Sequence, residues 1–384
     1  MSNALTSERC YGVDVLKVLS MFLVVVLHIL EQGGVLAGFE DQNALYWTAA
    51  LLQIVAYCCV NCFALATGFL MVGRKARYRK LLPMWLTVAF YCGIGLLLKK
   101  YVLHDPIYLT TLLQAVFPVS ASVYWYFTAY FCLYLFMPFL NQLVEVMSRQ
   151  QHRNLLVMGF FLFCVPQVAN VTRLHATDIV GLNDGYGMFW LMYLYFLGAG
   201  MKKHGFFLGM RSGKAVLGFV SMAVLTCLSK YGYEMLPEQL PGIVVSIVRE
   251  YGSSRFISYL SPTIVAEAMF LSVACINWKV PGWMRKPLVW LSPLVFQVYI
   301  IHTHPIVFDY LGGKMAFLGT LPLAKMVAGV LGIGAGIFLG CIAIDWVRFQ
   351  LFRLLQVNRW TDDFAQWTGE KVRLLLNKKE KTTV

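Results

Sequence analysis

VDVLKVLSMFLVVVLHIL, residues 13–30, is an apolar run that carries a lysine near one end and a histidine near the other. At ~100° per residue, the eleven positions between Lys17 and His28 come within ~20° of three full turns, so a helix places both on one face. At a rise of ~1.5 Å per residue, their Cα atoms lie ~16.5 Å apart along the axis, which puts His28 well inside a ~30 Å hydrocarbon layer. An ionisable side chain is too costly at that depth to face lipid. It is expected to point to a bundle interior, a cavity or a partner. The stretch therefore reads as a membrane span whose inner face is a functional wall.

The rest of the composition agrees. Of 384 residues, 59% are hydrophobic and 13% charged, with a mean hydropathy of +0.65, whereas soluble domains run near a quarter charged. An all-α, polytopic transmembrane bundle is expected. The formal charge of +13 does not imply nucleic acid, because the Lys and Arg residues sit between apolar runs and form no basic face. Most of the ten cysteines lie singly or as Cys58-Cys59 inside apolar stretches, with no His at zinc spacing, so they read as small buried hydrophobes and no metal site is expected. The first apolar run follows Arg9 and lacks a small-residue cleavage site before Glu31, so it reads as a retained span.

Ten candidate spans follow, at roughly 13–30, 45–72, 81–98, 124–147, 155–171, 188–201, 215–229, 257–276, 288–310 and 321–345. Most of the 32 Lys and Arg residues fall on alternate connections and on the tail, which places both termini in the cytoplasm of a cell (plasma or inner) membrane. The opposite segments carry Glu31, Glu40, Asp41, Asp178 and Asp184. The longest of them, about 230–256 with Pro237, Pro241 and Gly242, reads equally as a cap over an outward cavity or as an ordinary loop. Residues 1–345 form the expected membrane domain. Residues 346–384 alternate basic and apolar side chains and suit a helix lying on the anionic inner leaflet. No internal repeat is visible, so the inverted halves of many transporters find no support.

Several polar residues inside these spans invite a chemical reading. His28 and His302 each lie about fifteen residues past the start of their spans and come to similar depth. A histidine near neutral pKa is the side chain best suited to take a proton from an attacking hydroxyl. It needs an orienting partner; Asp14 is too far along the helix, and Glu31 or the buried-looking Glu267 are the candidates. The basic run RKARYRKLLP, residues 74–83, serves either as positive-inside anchoring or as a site for a phosphorylated donor such as coenzyme A. The aromatic cluster YWYFTAYFCLYLFMP, residues 124–138, is either an interfacial belt or a sugar-stacking surface, with Trp125 and Tyr126 at its outer edge. No P-loop, GxSxG, HExxH or Rossmann fingerprint stands in a convincing context.

Taken together, these motifs resemble the integral-membrane acyltransferase family 3 over nearly the whole chain. Lys17 and His28 resemble its Arg/Lys-x10-His signature, and FALATGFLM its SGF segment, with Thr67 where serine is usual. RYRKLLP resembles its Arg-x-x-Arg element, matched by Arg77 and Lys80, while Arg74 and Arg77 fit the literal spacing. VYWYFTAYFCLYLFMPFL is similar to its aromatic fourth helix. LSPLVFQVYIIHTHPIV is similar to its late tyrosine-histidine-proline stretch, with Tyr299 and His302 in register.

The resemblance implies transfer of an acyl group, usually acetyl, from cytoplasmic acyl-coenzyme A to a hydroxyl of an extracytoplasmic acceptor. That acceptor is commonly a bacterial surface carbohydrate or its lipid-linked precursor. His28 would be catalytic, as base or acyl carrier, with Glu267 as a second catalytic candidate from the residue reading. Lys17, Arg74, Arg77 and Lys80 would bind donor, and Trp125, Tyr126, Tyr299 and His302 would line the cavity or seat the acceptor. No bound cofactor is implied, acyl-coenzyme A being a co-substrate. A transporter or flippase for a lipid-linked sugar shares the topology and the costly buried residues, and is the competing expectation; a scaffold would leave His28 and Glu267 without a purpose.

Overall fold

The computed structural model describes residues 9–74, 78–169, 181–235 and 253–382. In chain order the helices are α1 (Tyr11–Leu30), α2 (Ala44–Tyr57), α3 (Cys59–Met71), α4 (Leu81–Tyr101), α5 (Leu109–Val116), α6 (Trp125–Val146), α7 (Arg149–Gly159) and α8 (Val165–Ala169). They continue with α9 (Met188–His204), α10 (Ser212–Glu234), α11 (Pro262–Ile276), α12 (Gly282–Leu291), α13 (Val295–His302), α14 (Pro305–Leu311), α15 (Leu323–Leu354) and α16 (Val357–Thr382). No strand occurs among the described residues, so the fold is all-helical as expected.

Local sequence explains many of the boundaries. The Asn43 side chain accepts from the Leu45 and Tyr46 amides at the start of α2, and Ser148 with Gln151 forms a capping box on α7. Pro262 and Pro305 occupy first-turn positions where no amide hydrogen is needed.

Among the described residues, six helical segments are long and apolar enough to cross a membrane, and seven if the bent pair Gly282–His302 and Pro305–Thr320 counts as one span broken by 71°. The chain thus has the character of a multi-pass membrane protein, but the ten expected spans are not matched by ten helices of spanning length. The expected span at 188–201 corresponds to α9, and that at 257–276 to α11, which are 17 and 15 residues long. The expected span at 155–171 is interrupted by a π-turn at Phe160–Cys164 and runs to the edge of the described residues. About 20 residues are needed to cross hydrocarbon. Helices enclosed by neighbours escape that requirement, and α9 buries Trp190, Leu191, Leu194 and Tyr195 completely.

α1 is the axis of the bundle and packs against α2, α3, α11, α12, α13 and α15. The most extensive pairing joins α3 to α9, where small residues let the backbones meet. A Cβ on Gly68 would stand 2.1 Å from the Tyr195 carbonyl oxygen, and one on Gly198 would stand 2.1 Å from that of Leu65.

Residues 345 and 346, where the sequence suggested a boundary between membrane domain and tail, lie inside α15. Asp345 is fully buried there, held by Arg348 Nε at 2.6 Å and by the Tyr91 hydroxyl at 2.7 Å. Beyond α15, α16 packs against α4 and brings Asp362 to 3.7 Å from Arg79.

Candidate active site

The face of α1 foretold by its periodicity lines a cavity of about 290 Å³, to which Lys17, Met21, Val24, Leu27 and His28 all contribute. α3 adds Cys59, Val60, Phe63 and Thr67; α4 adds Met84; and α6 adds Trp125, Tyr126 and Tyr130. Ser292, just before α13, and Gln297 and Tyr299, within it, complete the lining, and Tyr259 closes the wall. Trp125, Tyr126 and Tyr299 therefore line one cavity with His28. The aromatic run of α6 has two faces, since Leu135, Phe136 and Phe139 point outward and are exposed.

His28 Nδ1 lies 3.0 Å from His302 Nε2, and His302 Nδ1 lies 2.6 Å from the Val298 carbonyl oxygen. A carbonyl only accepts, so His302 Nδ1 carries the proton. Nε2 of the neutral ring is then an acceptor, and His28 Nδ1 donates to it. The His28 Nε2 lone pair is left free, with no hydrogen-bond partner among the described residues, on a half-buried ring that lines the cavity. The Phe308 ring, at 5.1 Å, packs edge-on against His28. His302 itself is 1% exposed, so it orients His28 and does not meet a ligand.

This replaces both expected carboxylate partners. Glu31 accepts from Gln53 Nε2 at 2.7 Å, and burial raises its carboxyl above the usual range while that hydrogen bond works against the rise. Glu267 is fully buried on α11 with Oε1 3.1 Å from Thr226 Oγ1, facing α10, and does not line the His28 cavity. The geometry thus gives Glu267 no access to a reaction at His28.

Lys17 Nζ donates to Ser292 Oγ at 3.1 Å and to the Ser292 carbonyl at 3.2 Å. The neighbouring Asp14 is engaged by Arg9, whose Nε and Nη2 approach it at 2.7 and 3.2 Å, and this pairing raises the guanidinium pKa. Among the described residues no carboxylate pairs with Lys17, so its charge is available to an anionic or polar ligand group.

The basic run is less tightly placed. Arg77 lies outside the described residues. Arg74 is exposed with its carbonyl taken by Asn141 Nδ2 at 2.9 Å, Lys80 is exposed at the start of α4, and neither lines the cavity. Thr67 and Met84, on the helices that flank the run, do line it.

Sequence reasoning missed Ser292, Gln297 and Tyr259. The first two carried a signal, a polar residue before Pro293 and an amide in an apolar run, whereas Tyr259 carried none. It also passed over the C-x-x-C spacing of Cys59 and Cys62 on α3, which the structure shows as free, buried thiols. Among the described residues, no three His, Cys, Asp or Glu side chains converge as a metal site would require.

A family model described as an acyltransferase domain matches residues 11–346, from the start of α1 to within α15. No curated protein and no solved structure matches the chain.

Proposed function

The chain belongs to the integral-membrane acyltransferase family 3, and on that footing we propose that it moves an acyl group, acetyl in the simplest case, from acyl-coenzyme A to a hydroxyl of a carbohydrate acceptor. Acyl transfer is the activity class that membership carries. The donor, the acceptor and the sidedness are our reading. The observation that supports it is the histidine chain from the Val298 carbonyl through His302 to His28, which leaves one basic nitrogen free at the cavity wall.

In this reading His28 Nε2 takes the proton of the acceptor hydroxyl as its oxygen attacks the thioester carbonyl. The carbon–sulfur bond breaks, and the departing sulfur receives that proton from His28. His302 keeps the His28 ring in the required tautomer and orientation throughout. Among the described residues no carboxylate is hydrogen-bonded to His28 or His302, which favours a short-lived imidazolium as proton carrier.

Lys17 stands ~16.5 Å from His28 along α1, too far to touch the same carbonyl. It suits the polar arm of a donor that threads the cavity with its thioester towards His28, holding the reacting groups in one geometry. The excess of basic residues on the Lys17 side supports a cytoplasmic position for that end and for both termini, with the acceptor arriving from the other side of a cell membrane. Arg74, Arg77 and Lys80, in the connection between α3 and α4, would attract the donor phosphates.

The reading is tested with purified protein in lipid vesicles, labelled acetyl-coenzyme A and an oligosaccharide panel. Label should pass to sugar with wild type and not with His28→Ala. Equal transfer by both would remove His28 from the chemistry.

A further inference from the structure

Beside His28, the cavity wall continues into a group of aromatic rings that the chemistry at His28 does not use. Tyr259 is at its centre. Its ring lies 4.8 Å from that of Tyr57, 5.1 Å from that of Tyr186 and 6.0 Å from that of Trp125, and the Trp125 and Tyr186 rings are 4.6 Å apart. Trp125 and Tyr259 line the same cavity as His28.

The group is built to hold its shape. The Tyr259 carbonyl accepts from Asn61 Nδ2 at 2.9 Å, and the Asn61 oxygen accepts from Trp190 Nε1 at 3.0 Å, with Asn61 fully buried. Tyr186 is delivered by a tight turn in which Gly185 has φ +92°, and a Cβ there would stand 2.7 Å from Tyr259 Cβ. Only glycine permits that approach. Tyr186 nevertheless remains 37% exposed, so one ring of a firmly held set stays open. At the edge stands Glu31, one turn past His28 on α1 and hydrogen-bonded to Gln53.

Within the set, the Tyr186 side chain is hydrogen-bonded with those of Tyr57 and Tyr259. Phenylalanine or leucine would fill the space without hydroxyls to satisfy, whereas three tyrosines and a tryptophan beside a carboxylate–amide pair offer flat apolar faces and a rim of hydrogen-bonding groups. A pyranose ring has that complement, with C–H bonds on its faces and hydroxyls around its edge. The charge of the ligand is also constrained. Among the described residues, Lys17 is the lysine or arginine that lines the cavity, and it sits at the far end of the α1 face. A ring bearing its own carboxylate would be desolvated there without a cation and beside Glu31.

We propose that Trp125, Tyr186, Tyr259 and Tyr57, with Glu31 and Gln53 at their edge, seat the sugar ring that is acylated, and that the seat takes an uncharged ring. The inference rests on the acyl-transfer reading above and adds the acceptor's place and class to it.

The test is steady-state transfer of acetyl from acetyl-coenzyme A by the full-length protein in vesicles, to a panel of neutral oligosaccharides and to their uronic-acid counterparts. Neutral acceptors should be used and uronates should not. Tyr186→Leu should raise the acceptor KM roughly three- to tenfold, as loss of one stacking ring implies, with the KM for acetyl-coenzyme A unmoved. Tyr186→Phe, which keeps the ring, should recover most of that loss. Because Tyr186 is partly exposed, these variants keep the buried scaffold of Asn61 and Trp190. An unchanged acceptor KM in Tyr186→Leu overturns the seat, and equal use of uronates overturns its preference, while either result leaves acyl transfer standing. Wild-type protein that transfers to neither kind of sugar overturns the parent reading and the seat with it.

Discussion

Two pairs of histidines lie in ring contact among the described residues, and their differences separate chemistry from packing. His28 and His302 have ring centroids 5.1 Å apart, and His152 and His204 have theirs 5.2 Å apart. In the first pair the rings tilt at 44° and a nitrogen of each meets the other at 3.0 Å. In the second the rings stand at 82°, and each keeps a buried nitrogen without a partner among the described residues, His152 Nδ1 and His204 Nε2. His152 Nε2 instead donates to the Phe196 carbonyl at 2.9 Å, which ties α7 to α9, and Phe206 packs on both rings. Nearby, Lys203 Nζ satisfies the last carbonyls of α6. The first pair ends at a cavity with a free lone pair, and the second ends in packed side chains. Proximity of two imidazoles is thus no sign of function; the direction of their lone pairs and an open wall are.

The comparison is easiest to break at His28. His28→Ala should lower transfer by ~10²- to 10⁴-fold, the usual contribution of a positioned base, while the protein still inserts and accumulates. A variant that is lost through misfolding would instead make His28 a packing residue like His152. His302→Ala should cost roughly 10- to 100-fold in kcat, less than loss of the base itself, because only tautomer and orientation are given up. An effect confined to stability would show that the hydrogen bond between the rings does not serve the reaction.

Lys17→Ala should raise the KM for acyl-coenzyme A about tenfold with a smaller change in kcat, since its charge lies far from the reacting carbon. The reverse split, a fall in kcat at constant KM, would place the donor differently in the cavity.

The smallest effect on activity belongs to the second pair. His152→Ala should leave transfer intact and lower stability by about 1–3 kcal/mol, because the buried Phe196 carbonyl loses its donor. Burial is the main cause that lowers the His152 pKa, with smaller contributions from His204 and Lys203, against the opposing hydrogen bond to Phe196. The unfolded chain therefore binds this proton more readily than the folded one. The stability His152 contributes is present above the ordinary imidazole value of about 6.5 and falls away as pH drops below it. Thermal melts of wild type and His152→Ala between neutral and mildly acidic pH should converge on acidification. Parallel curves would show that His152 does not titrate with folding.

Much of this was legible from one periodicity. Lys17 and His28 recur on one face of an ideal helix, and α1 is straight enough for that face to line the cavity along its length. The similar depths of His28 and His302 were readable from their spans, but their contact was not, because the rotation of α13 against α1 is set by packing between segments 274 positions apart. The carboxylate expected beside His28 failed for a related reason: a second imidazole can orient the first once a carbonyl fixes its own tautomer, and no spacing rule encodes that. The count of ten spans is not confirmed among the described residues, because length ceases to measure depth in α9 and α11, which bury much of their surface against neighbours. Tyr259 and Tyr186 are brought together by a glycine turn and an asparagine bridge, and neither residue stands out in its own stretch of sequence.

Acyl transfer that depends on His28 is tested most directly by mass spectrometry of surface glycans from cells carrying wild type, His28→Ala, His152→Ala or no protein. The mass increment of one acetyl group is expected with wild type and with His152→Ala, and its absence from the other two. An increment with His28→Ala equal to that of wild type, or none with wild type, would contradict that expectation.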